Sequence, residues 1–267
     1  MSLPTDWSTA SSSESRADAV AVGGGAVGPV WPPICGLQPV SLIDYPGRVC
    51  ATLFVGGCNL RCPYCHNPEL VVGPAKVLDP DEVIGFLTKR SGVLDGVCIS
   101  GGEPTLYPGI ELLAERIKRM GLNVKLDTNG TNPNMLARLL SRGLIDYVSI
   151  DVKAPRERYS EVVRLPADTK SFCVAESVNS SVELVNSSAV EYEIRTTVCP
   201  ALLDREDILE IGRWFKGARR YVLQQYRASP TVLDIEAAGT AQYSTEWFKV
   251  SATLLSGFFD EVLVRGV

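Results

Sequence analysis

Short apolar runs alternate with longer amphipathic stretches along most of the chain. Residues 49–55, VCATLFV, form a continuous apolar, β-branched run that suits a strand covered on both faces. Downstream, Asp79-Pro80-Asp81-Glu82 opens a helix, with Asp79 as cap, Pro80 in the first position and Val83, Ile84 and Leu87 on one face. The alternation then repeats: strand 96–99, helix 108–120, strand 123–126, helix 133–141, strand 147–150. Helices are expected over 155–163 and over 170–186, where Val174, Val178, Val182 and Val185 make one stripe. A strand over 191–198, a helix from Asp204 to about residue 216 and a strand over 220–225 follow. Ser244 caps a last helix carrying Trp247, Phe248, Val250, Leu254 and Leu255, aromatics that read as core, before a strand over 261–264. Residues 41–44 read equally well as a short strand or as a cover. The order implies an α/β fold with a parallel sheet closed or partly closed into a barrel, its active loops at the C-terminal strand ends.

Composition sharpens this picture at a few points. With 267 residues, 45% of them hydrophobic, the chain can bury a large core, and one catalytic domain over residues 34–267 is the simplest count. Residues 1–33 mix Ser, Thr, Ala, Gly and Pro, including Ser11-Ser12-Ser13 and Gly23-Gly24-Gly25, and are expected to be a disordered leader. A net charge of -5 argues against a nucleic-acid partner, since phosphate binding needs a basic face. No apolar run approaches a membrane span and the N-terminus lacks the order of a signal peptide, so a cytoplasmic location with no membrane partner is expected. Eight cysteines then point to metal or redox use in a reducing compartment.

Three of those cysteines lie within eight residues, at intervals of four and three, in Gly56-Gly57-Cys58-Asn59-Leu60-Arg61-Cys62-Pro63-Tyr64-Cys65-His66-Asn67. Thiolates so close in one loop converge on a single metal centre, and three protein ligands leave a coordination position open for chemistry. A zinc site made by Cys58, Cys62, Cys65 and His66 competes with this reading, although His66, next to Cys65, is poorly placed to close the same tetrahedron. Buried core thiols would explain neither the spacing nor the polar residues between them. Cys35, Cys50, Cys98, Cys173 and Cys199 do not cluster in sequence and form no second motif. Polar signals recur where other strands should end: Gly101-Gly102-Glu103, Asp127-Thr128-Asn129, Asp151 with Lys153, Arg195, and Gln224 with Gln225. Taken singly, each has an ordinary reading as a turn, a cap or a surface ion pair.

The cysteine pattern, with Tyr64 before its third thiol, resembles the signature of the radical S-adenosylmethionine (SAM) superfamily. The fuller CNLRCPYCHN, with the upstream GLQPVSLIDYPGR, resembles activating enzymes of glycyl-radical proteins, especially the activator of anaerobic ribonucleoside-triphosphate reductase. The resemblance implies a partial (β/α)6 barrel. It implies that Cys58, Cys62 and Cys65 bind three irons of one 4Fe-4S cluster, and that the methionine part of SAM chelates the fourth. It further implies that Gly101, Gly102 and Glu103 hold the SAM amino group. Asp127, Thr128, Asn129, Asp151 and Lys153 would border the SAM carboxylate and a monovalent cation, with Arg195 approaching the carboxylate or ribose. The implied activity is reductive cleavage of SAM to a 5′-deoxyadenosyl radical that creates a glycyl radical on a partner enzyme, above all anaerobic ribonucleotide reductase, with flavodoxin or ferredoxin as electron donor. Two other readings stay open: a radical SAM enzyme acting on a small molecule, peptide or RNA, and a non-enzymatic metal-binding interaction module.

Overall fold

The computed structural model describes residues 31–73, 75–165 and 171–267, the side chains of residues 171–173 excepted; the expected leader lies outside the described residues up to residue 30. Eight strands form one sheet in sequential order: β1 (Ile34–Ser41), β2 (Cys50–Val55), β3 (Gly96–Gly101), β4 (Asn123–Thr128), β5 (Tyr147–Asp151), β6 (Glu191–Val198), β7 (Arg220–Gln225) and β8 (Glu261–Arg265). β1 runs antiparallel to β2, and every later pairing is parallel. Parallel neighbours need a crossover, and the helices supply it. They are α1 (Pro68–Val72), α2 (Pro80–Arg90), α3 (Ile110–Arg119), α4 (Pro133–Ser141), α5 (Tyr159–Val163), α6 (Ser171–Asn186), α7 (Arg205–Trp214), α8 (Ile235–Ala238) and α9 (Thr245–Leu255). β2 through β7 each lead into a helix, giving the six strand-helix units of a partial barrel, and β8 extends the wall by one more parallel strand.

The caps read from sequence are in place. Asp79 accepts from the Asp81 backbone N–H with Pro80 beginning α2, Asp204 and Asp207 form a reciprocal capping box on α7, and Ser244 accepts from Trp247 N at α9. Alternation along each strand separates two environments. One face of the strands, with Leu53, Val97, Leu126, Val148, Ile194 and Leu223 all fully buried, packs under the helices as the main apolar core. The alternate residues of β4, β5 and β6 include Lys125, Asp127, Tyr147, Ser149, Asp151, Glu193 and Arg195, so the other face is polar.

That polar interior is wired by hydrogen bonds. Glu193 is fully buried, accepts from Ser149 Oγ (2.8 Å) and Tyr147 Oη (2.9 Å), and takes a two-pronged contact from Arg265 on β8, at 2.7 Å on each oxygen. Burial pushes the Glu193 carboxyl up, but Arg265 and Ser149 outweigh it and hold the group down at about 2. Below lies a floor of Tyr45, Cys50, Cys98 and Tyr147. Cys50 and Cys98 are fully buried, as small hydrophobes would be.

Candidate active site

The cysteine loop leaves the top of β2 through Gly56 and Gly57. Gly57 has φ +84°, and a side chain there would meet Tyr107 Oη at 2.3 Å. Tyr107 Oη itself donates to the Gly56 carbonyl at 2.8 Å. The loop at the top of β3 interlocks with this turn: Gly102 N donates to Val55 O and Glu103 N to Gly57 O, both at 2.8 Å. A Cβ on Gly102 would stand 1.9 Å from the Gly57 carbonyl oxygen, so the two loops approach as only glycine allows. Farther along, Arg61 N donates to Val163 O (3.0 Å), Asp234 N to Pro63 O (2.9 Å) and Leu233 N to Cys65 O (3.0 Å).

All three thiols of the loop face one cavity of about 300 Å³. Cys58 Sγ accepts from Leu60 N at 3.4 Å, and Asn129 Nδ2 stands 3.9 Å away. Burial pushes the Cys58 thiol up and lifts that of Cys62 to about 12, against the opposing pull of Lys153. Thiolates here therefore need a metal's positive charge to hold them. Tyr64 Oη, on the same wall, is buried without a hydrogen-bond partner. His66 Nε2 lies 2.6 Å from the Arg227 carbonyl. Among the described residues no three Cys, His, Asp or Glu groups are drawn up around one ion position.

The same cavity is lined by Gly101, Gly102, Asp127, Thr128, Asn129, Asp151, Lys153 and Arg195. The sequence-expected residues thus line one cavity, Glu103 excepted. Glu103 does not reach into the cavity. Its fully buried carboxylate accepts from Thr105 N (3.0 Å), Thr105 Oγ1 (2.5 Å), Thr128 Oγ1 (2.7 Å) and Asn129 N (2.6 Å), and so ties the top of β3 to the top of β4. Burial pushes this carboxyl up, and those donors pull the other way. The Thr128 hydroxyl is spent in the same knot. Asn129 joins the knot to the cysteine loop, donating to Asn59 Oδ1 at 2.9 Å.

Asp151 and Asp127 meet through Arg195. Its Nε donates to Asp151 Oδ1 at 2.7 Å and its Nη2 reaches Asp127 Oδ2 at 3.4 Å, while Lys153 Nζ stands 3.4 Å from Asp151 Oδ2. Burial alone would raise the Asp151 pKa, but Arg195 and Lys153 hold the carboxyl well below the usual carboxylate range. Lys125, on the same face of β4 as Asp127 and only 1% exposed, pairs with Asp127 Oδ1. Lys125 was not singled out in the sequence, although period-two alternation from Asp127 leads straight to it.

A second cavity, of about 720 Å³, shares Asp44, His66, Arg195, Thr197 and Gln224 with the first and continues to Ile43, Arg227 and Arg265. Asp44 stands in the stretch whose role was open. It is fixed by Thr52 Oγ1, which donates to Asp44 Oδ2 at 2.7 Å. Gln224 faces both cavities. Gln225 lines only the second, and its Nε2 is committed to the Tyr243 carbonyl at 2.7 Å.

A partial α/β barrel that opens three thiols onto a cavity walled by acids, a lysine and an arginine is the scaffold of an open-site metallocluster enzyme. The family model for the radical SAM superfamily matches residues 52–172. A protein of Methanocaldococcus jannaschii, whose assigned name is that of a glycyl-radical enzyme activating enzyme, is 36% identical over 197 residues, covering 72% of this chain and 79% of the relative. A pyruvate formate-lyase-activating enzyme of Clostridium pasteurianum is 26% identical over 190 residues, covering 68% and 76%. The chain belongs to the radical SAM superfamily, and it is an enzyme of that class. Among solved structures, a radical SAM methyltransferase from Sphaerobacter thermophilus superposes with a TM-score of 0.63 at 17% identity, over 83% of this chain and 68% of that one. Streptococcus suis SuiB bound to S-adenosylmethionine does so with a TM-score of 0.58 at 14% identity, over 79% of this chain. This chain spans only 48% of SuiB, and at such identities the likeness is one of fold.

The family's cofactors are a 4Fe-4S cluster and SAM, and the residues present fit both. Three thiols on one wall, a backbone N–H on Cys58 Sγ and an unpartnered Tyr64 hydroxyl suit a cluster with a polar ligand beside it. Lys153 and Arg195, lining the same cavity, suit a carboxylate. Among the described residues no helix is long and apolar enough to cross a membrane.

Proposed function

We propose that this enzyme cleaves SAM reductively to a 5′-deoxyadenosyl radical and uses it to generate a glycyl radical on a partner enzyme, with anaerobic ribonucleotide reductase as the target. Flavodoxin or ferredoxin supplies the electron, and the setting is the cytoplasm, in keeping with seven described cysteines that are all free. The observation that carries the reading is convergence. Thiols from one loop and charged side chains from the tops of β4, β5 and β6 face a single cavity, in a chain 36% identical to a relative named as an activase of this kind.

When bound, the cluster and SAM supply the redox chemistry, one electron breaking the sulfonium bond to C5′. The chain's own residues bind and orient. In this reading Cys58, Cys62 and Cys65 ligate the irons, while backbone groups of Gly101 and Gly102 take the SAM amino end. Lys153 and Arg195 face its carboxylate, and Tyr64 closes one side. The second cavity, wider and continuous with the first, leaves room for a segment of the partner to bring a glycine Cα to the reacting carbon.

The test is anaerobic reconstitution with iron and sulfide, reduction, and assay of 5′-deoxyadenosine with Cys62→Ala as control. Release that disappears in the variant is expected, followed by a glycyl-radical electron paramagnetic resonance signal once a reductase partner is added. Release without any such signal on a partner would refute the activase reading while leaving the SAM chemistry in place.

A further inference from the structure

The carboxylates of Asp127 and Asp151 are where the family resemblance expects a monovalent metal ion, yet each of their four oxygens already has a protein donor. Asp127 Oδ1 holds the Lys125 ammonium, and Asp127 Oδ2 is reached by Ser100 Oγ at 3.3 Å and Arg195 Nη2 at 3.4 Å. Asp151 Oδ1 holds Arg195 Nε and Oδ2 faces Lys153 Nζ. The groups form one chain of alternating sign, Lys125, Asp127, Arg195, Asp151, Lys153, in which three cations meet two anions. We propose that Lys125 is a built-in counter-cation, its ammonium taking the place of a monovalent metal ion beside Asp127, so that this enzyme binds SAM without sodium or potassium. The inference rests on the SAM-site reading given above.

Three observations support it. Lys125 is 1% exposed and its Nζ pairs with Asp127, with Cys98 Sγ at 3.8 Å and the Tyr147 ring at 5.8 Å beside it; among the described residues Asp127 is the carboxylate it is paired with. An ammonium is a compact point charge with three donors, the nearest side-chain equivalent of a small monovalent ion. The five groups also leave one positive charge, which an incoming carboxylate neutralises and an added metal cation would double.

The test compares SAM dissociation constants of the reconstituted full-length protein in potassium chloride, sodium chloride and tetramethylammonium chloride at equal ionic strength, so that screening is constant. The wild type is expected to change by less than about twofold between salts, while Lys125→Met binds about tenfold more weakly in tetramethylammonium and recovers in potassium or sodium. A cation-specific rise in Tm should accompany that rescue in Lys125→Met and be absent from the wild type. A wild-type affinity that tightens about tenfold with potassium, or a Lys125→Met protein indifferent to the cation, would overturn the proposal. If the variant does not fold, the wild-type comparison alone decides. The melting experiment needs neither SAM nor a partner, so it still judges the proposal if the SAM-site or activase reading fails.

Discussion

Glu103 and Lys125 show how a residue's type can be legible while its task is not. In the sequence Glu103 stands beside two glycines at a strand top, the ordinary position of a ligand-binding carboxylate. In the fold its two oxygens meet four donors contributed by Thr105, Thr128 and Asn129, a commitment that depends on two loops meeting in space. Glu103→Gln puts an amide donor against one of those donors. It is expected to cost about 1–3 kcal/mol in a denaturant titration while leaving the SAM dissociation constant of the folded protein nearly unchanged. A loss of affinity without a loss of stability would return Glu103 to the ligand. Lys125 was missed for the converse reason: a lysine within a strand reads as an exposed edge charge until the strand is known to be central. The cysteines were legible because their partners are each other.

At the scale of elements, strands flanked by amphipathic helices were read closely, since their signal lies in consecutive residues. The antiparallel β1, the short α1 and α8 and the single turn at Pro104–Leu106 went unread: the three helical pieces are too short to show a period, and β1 depends on its pairing with β2. β1 is an example: its burial alternates little along Ile34–Ser41, and its register with β2 is broken by two irregularities. The glycine turns joining β2 and β3 to the site are the elements most sensitive to change. Gly102→Ala forces a Cβ into the Gly57 carbonyl, a backbone atom with no side-chain freedom to yield. The displaced loop should hold iron poorly, so iron content after reconstitution should fall by at least about half, with the far-UV circular dichroism spectrum preserved. Full iron content in Gly102→Ala would show that the interlock is dispensable.

For the whole molecule, the barrel interior is a stability reservoir with a defined pH window. Glu193 titrates near 2 in the folded protein, below its ordinary value. A depressed carboxyl stabilises the fold at pH values above the unfolded pKa and loses that contribution as pH falls through the folded one. The Glu193 contribution, about 3 kcal/mol, should therefore be complete above about pH 5 and fade toward pH 2. Denaturation midpoints measured from pH 7 to pH 3 should fall in the wild type and be both lower and flatter in Arg265→Met. An unchanged acid slope in that variant would mean the pair does not carry the effect.

The cysteine loop is held by backbone bonds to residues remote from it along the chain: Arg61 to Val163, Pro63 to Asp234 and Cys65 to Leu233. The first of these closes a loop that encloses β3 to β5, and the other two close loops that enclose β3 to β7. The three sulfurs are therefore expected to take up their positions late in folding, so that a polypeptide caught earlier presents iron with loose thiols and no site. Cluster content then works as an assay of completed folding. Any lesion that delays the segment around residues 233–234 should appear first as colourless protein, well before it appears as lost secondary structure.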